Sequence, residues 1–180
     1  MILDKLSDWP SPKITRLLLL ISIIILVIVY PFMGYYFFVS NYSINIFESQ
    51  LSFNAALLRT AYTAMNADQL FFYRAAETLD YGFMVSYSML IISLALIIAR
   101  KFDESSIWRK SGYCIVLLGI VAACLDAIEN GFILSMTANP LSFPDIWAIA
   151  HSSFALIKWI LLFIAIGWAI TACIIRLVKK

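Results

Sequence analysis

The chain has 180 residues, 63% hydrophobic and 13% charged, with a formal net charge of +2. A soluble domain carries about 25% charged and about 45–50% apolar residues. This composition, with a mean hydropathy of +0.91, is that of a single domain whose solvent is lipid. So small a net charge, with no basic patch interleaved with aromatics, argues against a nucleic-acid partner.

Met1 to Lys13 is a short polar leader, and Ile14 to Phe38 is almost wholly apolar. A secretory signal has an apolar core of about 7–15 residues and a small-residue exit. This run is longer and has no such exit, so it reads as a retained transmembrane helix over about 14–38. Pro31 removes a backbone donor and, with Gly34, predicts a kink toward the outer end. Tyr30, Tyr35 and Tyr36 fit an aromatic belt there.

Ser40 to Glu77 is too polar to span. Leu51, Ala55, Leu58, Tyr62 and Met65 recur at four- and three-residue steps, which predicts an outer amphipathic helix over about 49–65. It either lies on the bundle surface or closes over it as a lid. Asn66-Ala67-Asp68 reads as a break, with Asn66 ending that helix and Asp68 capping the next. The second span is expected over about 69–99, its first turns with Arg74 and Glu77 protruding and its buried part beginning near Asp80. After the charged loop Arg100–Lys110, a third span runs over about 113–134. A turn holding Pro140 and Pro144 leads to a fourth over about 146–177. The expected fold is all-α, a single four-helix transmembrane domain over 1–180.

Lys5, Lys13, Arg16, Arg100, Lys101, Arg109, Lys110, Arg176, Lys179 and Lys180 all fall on one side of such a bundle. Only Arg59 and Arg74 fall on the other. The positive-inside rule then puts both termini in the cytoplasm of a multi-pass protein of the cell's inner (plasma) membrane, as four spans also require.

The feature that stands out is the third span, CIVLLGIVAACLDAIENGFI, where Asp126, Glu129 and Asn130 share one helical face. At about 1.5 Å rise per residue, Asp126 and Glu129 stand about 24 and 28 Å from Lys110, Lys158 about 27 Å from Arg176, and Asp80 about 30 Å from Arg100. Three helices thus place ionisable groups at one level in the outer half of the membrane, where an unpaired charge costs several kcal/mol. Tyr87, i+7 from Asp80, and His151, i−7 from Lys158, point toward the same layer.

Asp126 and Lys158 read either as a structural ion pair locking two helices or as part of a site. Two further carboxylates, Glu129 and Asp80, cannot also be satisfied by one lysine while ionised, so one should be protonated or face water. In the site reading Glu129, Asp126 and Asp80 are the acid/base groups, and Asn130, Lys158, Tyr87 and His151 contact the substrate. Asn130 can equally bond across helices, and His151 can be an interfacial histidine that relays protons. Cys114, Cys124 and Cys173 have no metal or redox spacing and read as packing residues. With one histidine and no nucleophile elbow, phosphate loop, zincin helix or haem pair, no metal and no cofactor are expected.

The strings LDYGFMVSYSM (Leu79–Met89) and LDAIENGFIL (Leu125–Leu134) resemble a pattern in small prokaryotic four-helix membrane proteins with a D-x-x-E-N third helix. In architecture the chain is also similar to the sterol-isomerase and sigma-2-receptor group, which implies carboxylate-lined helices around a lipid pocket. Three functions fit the residues. The first is a site that binds or acts on a membrane lipid or isoprenoid-like small molecule by acid/base groups. The second is a proton-coupled carrier or channel working as a homodimer. The third is an accessory subunit of a larger membrane complex, in which the polar layer only joins helices.

Overall fold

The computed structural model describes residues 5–178. Its helices are α1 (Pro12–Ser40), α2 (Ile46–Gln50), α3 (Ala55–Thr63), α4 (Ala67–Ala99), α5 (Ile107–Ala138) and α6 (Asp145–Val178), with no strand among the described residues. Four of them, α1, α4, α5 and α6, are long and apolar enough to cross a membrane. This is consistent with an integral membrane protein.

The helix limits follow capping chemistry. Ser11 caps α1 with Pro12 in its first turn, where a missing N–H costs nothing. Asn66 and Gln69 form a reciprocal capping box at the start of α4, so Asn66 opens that helix and Asp68 lies inside its first turn. α5 begins at Ile107 behind the Ser106 cap, within the stretch expected to be loop. Its first turns stand beyond the apolar run, and the Ser106 side chain satisfies an otherwise orphaned donor.

The single amphipathic helix expected over 49–65 is instead two short helices. Asn45 caps α2 and Asn54 caps α3, and between them Phe53 adopts a left-handed φ of 50°. Ala55, Leu58, Tyr62 and Met65 are buried, whereas Leu51 is exposed. The stripe therefore holds for α3 and fails at the joint.

Side-chain contacts define the helix order. Arg100, at the end of α4, donates to Thr15 Oγ1 near the start of α1. Ser88 on α4 donates to the Gly119 carbonyl, and Trp168 late in α6 donates to Ser111 early in α5. Each neighbouring pair is thus antiparallel, in the series α1–α4–α5–α6. Glycines let α4 and α5 approach: a Cβ on Gly112 would stand 2.5 Å from Ala99 Cβ, and one on Gly119 2.8 Å from Ile91 Cγ2.

The series does not close, because α6 does not pack along α1. α2 and α3 cross one end and touch α6. Trp159 of α6 donates to Gln50 Oε1, and Arg59 of α3 donates to the Phe143 carbonyl and pairs with Asp145. Two apolar packings result. One, beneath α3, is built on Leu58, Tyr62, Tyr73, Ile133 and Met136. The other, at the end that carries Arg100, is built on Leu96, Ala99, Tyr113, Val116 and Ala165. Cys114, Cys124 and Cys173 are exposed on the bundle surface and so belong to neither, contrary to a packing role.

Candidate functional site

The polar groups of the long helices meet between these two packings. On α4, Glu77, Asp80 and Tyr87 recur at i, i+3 and i+10, which keeps them on one face. On α5, Asp126, Glu129 and Asn130 share a face, and on α6 His151 and Lys158 are two turns apart. Glu77, Asp126, Glu129, Asn130, His151 and Lys158 are all at most 5% exposed, so their partners decide what each can do.

Lys158 Nζ lies 2.8 Å from Asp126 Oδ1 and 2.6 Å from Glu129 Oε2. One ammonium thus bridges both α5 carboxylates, as their i, i+3 spacing permits. The Tyr87 hydroxyl donates to the second oxygen of Asp126 at 2.9 Å, so that carboxylate is held from both sides. Asn130 Nδ2 donates to Asp80 Oδ2 at 2.7 Å and, at 3.3 Å, to the Glu77 carbonyl. The other oxygen of Glu129 stands 3.9 Å from His151 Nδ1, and neither imidazole nitrogen has a hydrogen-bond partner among the described residues. His151 is fully buried within the protein.

A cavity of about 140 Å³ opens beside this cluster. Glu77, Asp80, Tyr87, Asp126 and Lys158 form its polar wall. Met33 and Phe37 of α1, Phe83 of α4 and Leu162 of α6 form its apolar wall, with Ile46, Gln50 and Trp159 above. Since α1 and α6 leave the bundle open on this side, the cavity faces the gap between them, with Ile46 and Gln50 of α2, which packs on α6, in its lining. A larger hollow of about 480 Å³, lined by Leu70, Phe71, Arg74 and Leu134, lies on the flank of α4 and α5 away from the acids.

The structure therefore brings Asp80, Tyr87, Asp126 and Lys158 to the cavity wall, while Glu129 and His151 stand behind Lys158 and Asn130 behind Asp80. Glu77 was expected to protrude and is instead buried at the wall. The signal lay in its spacing, i−3 from Asp80. A limit drawn at the last exposed charge, Arg74, would have included it, because burial on α4 begins with Tyr73 and Ala76.

Among the described residues no three His, Cys, Asp or Glu side chains are set to hold a metal ion. The Lys158 ammonium stands where a cation bridging Asp126 and Glu129 would sit. Chemically, the arrangement offers carboxylates of two kinds. Asp126 and Glu129 share one ammonium, whereas Asp80 and Glu77 have no cation within ion-pair distance among the described residues and face the cavity.

Comparison with family models, curated proteins and solved structures finds no match. What the chain does is therefore argued from its own residues.

Proposed function

We propose that the protein is an integral membrane protein that binds the polar end of a lipid- or isoprenoid-like amphiphile. The molecule enters sideways between α1 and α6, with Asp80 and Glu77 as the acid/base groups that meet it. The observation that carries this reading is the position of the cavity, on the one side where the helix series does not close, with a carboxylate wall facing an apolar one.

Its volume supports a division of the ligand. Pockets that enclose whole drug-sized molecules measure about 300–1,000 Å³, so about 140 Å³ suits a headgroup of a few heavy atoms whose tail stays in the bilayer. Asp126, Tyr87 and Lys158 supply a fixed polar floor, and Glu129 with His151 forms a further titratable pair behind it. With both termini cytoplasmic, as the basic clusters favour, the site lies in the outer half of the membrane.

Unpartnered atoms favour a site over a purely structural polar layer. A layer that only joins helices has its buried polar atoms paired, whereas Glu129 Oε1, Asn130 Oδ1 and both His151 nitrogens have no hydrogen bond among the described residues.

The test is to purify the protein from native membranes in mild detergent and identify the lipids that travel with it by mass spectrometry. A Met33→Trp variant, which fills the mouth from the apolar side, is carried in parallel. One amphiphile class enriched on the parent and lost from the variant is the expected result. Bulk lipids in bulk proportions on both proteins would remove the reading.

A further inference from the structure

We propose that the end of the bundle carrying Lys101 and Arg176 binds an anionic phospholipid from the leaflet it faces. The phosphate sits on those two cations and one acyl chain lies between α4 and α6. This site is separate from the acid-lined cavity and does not depend on what fills it.

A hollow of about 420 Å³ is lined by Ile98 and Lys101 at the end of α4 and by Cys173, Arg176 and Leu177 at the end of α6. Its size falls within the about 300–1,000 Å³ of small-molecule sites. α4 and α6 each lie antiparallel to α5, so they run parallel to one another and bring their last turns to this end. The winding continues past α4 through Lys101, whose amide donates to the Ile98 carbonyl at 3.1 Å. Leu94, Ile98 and Lys101 therefore share one face at i, i+4 and i+7, and Ala169, Cys173 and Arg176 repeat that spacing on α6.

Toward the membrane centre the same two faces continue as an apolar groove of about 130 Å³, lined by Leu90, Leu94, Ala165, Ile166 and Ala169, with Ile115 of α5. From Lys101 to Leu90 the rise is about 16 Å, close to half of a hydrocarbon core of about 30 Å. A charged mouth above an apolar groove one leaflet deep matches a phospholipid in shape and in polarity.

Charge selects the headgroup. Positive-inside bias alone accounts for basic residues at this end, and the last turn of a helix favours cations. Nearby, though, Arg100 and Arg109 are tied into the fold. Arg100 donates to the Leu6 carbonyl and to Thr15, and Arg109 to Tyr113 and the Phe102 carbonyl. Lys101 and Arg176 have no ion pair and no side-chain hydrogen bond among the described residues, yet they line the same hollow. A guanidinium pairs bidentately with a phosphate, and an ammonium adds a point charge. Basic pockets between transmembrane helices on the cytoplasmic side, where the reading above puts this end, take anionic lipid heads in this way. A zwitterionic head brings its own cation toward the pair and gains less.

The experiment titrates full-length protein in mild detergent with dioleoylphosphatidylglycerol or dioleoylphosphatidylcholine and reads the bound fraction by native mass spectrometry. The expected result is one molecule of the glycerol lipid bound at a concentration about tenfold or more below the choline lipid, as two cations imply. Lys101→Gln with Arg176→Gln should bring the two lipids level. Lys5→Gln with Lys13→Gln, which removes the same charge from exposed positions outside the hollow, should keep the preference, and so should Met33→Trp. Glycerol phosphate, the same anionic group without chains, should not displace the lipid. Equal or no binding of the two lipids, or equal loss in both double variants, would overturn the site in favour of general surface charge. Displacement by glycerol phosphate would overturn the lipid in favour of a soluble phosphate ester. Loss in Met33→Trp would overturn it by marking the bound molecule as the occupant of the acid-lined cavity.

Discussion

Lys158 Nζ lies 2.8 Å from Asp126 Oδ1, an ion pair between α6 and α5 in which neither side chain is more than 5% exposed. Glu129, one turn further along α5, shares the same ammonium at 2.6 Å. Removing the lysine leaves two carboxylates in an apolar interior without a counter-charge, a change that costs about 3–5 kcal/mol. Lys158→Met should therefore lower the unfolding temperature in detergent markedly, and adding Asp126→Asn with Glu129→Gln should recover most of the loss. A Lys158→Met protein that melts with the parent would show that the cluster does not hold the helices.

The close approach of α4 and α5 makes a second prediction with an internal control. A Cβ at Gly112 would meet Ala99 Cβ at 2.5 Å and the Trp168 ring at 2.7 Å, while one at Gly131 meets nothing within 4 Å. Overpacking of that kind costs about 1–3 kcal/mol, whereas alanine in an open helical position gains up to about 1 kcal/mol over glycine. Gly112→Ala should thus destabilise and Gly131→Ala should be neutral or stabilising, as read by thermal unfolding. Equal effects at the two positions would contradict the helix contact.

The four long helices were legible because each is a long apolar run, and that signal needs only composition. The cluster was legible in part for a related reason, since charges inside such runs stand out. Glu77 did not stand out, because it sits where the polar connector gives way to the span and its burial depends on Tyr73 and Ala76 packing beside it. The joint at 51–54 escaped because the apolar stripe continues across it in sequence. Only the paired caps, Asn45 and Asn54, mark two helix starts. The open side between α1 and α6 has no sequence signature, as which helices touch is set by the whole packing and not by any one segment.

Tyr42 gives a pH prediction outside the spans. Burial pushes its phenol from 10.0 up to about 12, against the opposing bond to Ser49, whose Oγ lies 2.8 Å away. Between the unfolded and folded values the unfolded chain releases this proton and the folded protein keeps it, so folding stability falls as pH rises. The contribution is complete below about pH 10 and disappears by about pH 12. Unfolding measured from pH 9 upward should show this decline, and Tyr42→Phe should flatten part of it. A Tyr42→Phe profile parallel to the parent's would mean the phenol titrates normally.

At the joint between α2 and α3, the Ser152 hydroxyl of α6 accepts from the Phe53 amide at 3.0 Å. Phe53 has a φ of 50° there, a left-handed conformation that costs a non-glycine residue roughly 1–2 kcal/mol, and the residue is 43% exposed. Losing the bond should cost about 1 kcal/mol, so Ser152→Ala should melt lower and speed hydrogen exchange at the Phe53 amide. Phe53→Gly removes the steric cost at an entropic charge of about 0.5–1 kcal/mol, while Phe53→Ala keeps the cost and loses the ring. The glycine variant should therefore be the more stable of the two. Since α2 supplies Ile46 and Gln50 to the cavity wall, faster exchange in Ser152→Ala should extend through Ile46–Gln50. Exchange confined to Phe53 would show that the contact holds its own amide and not the helix over the cavity.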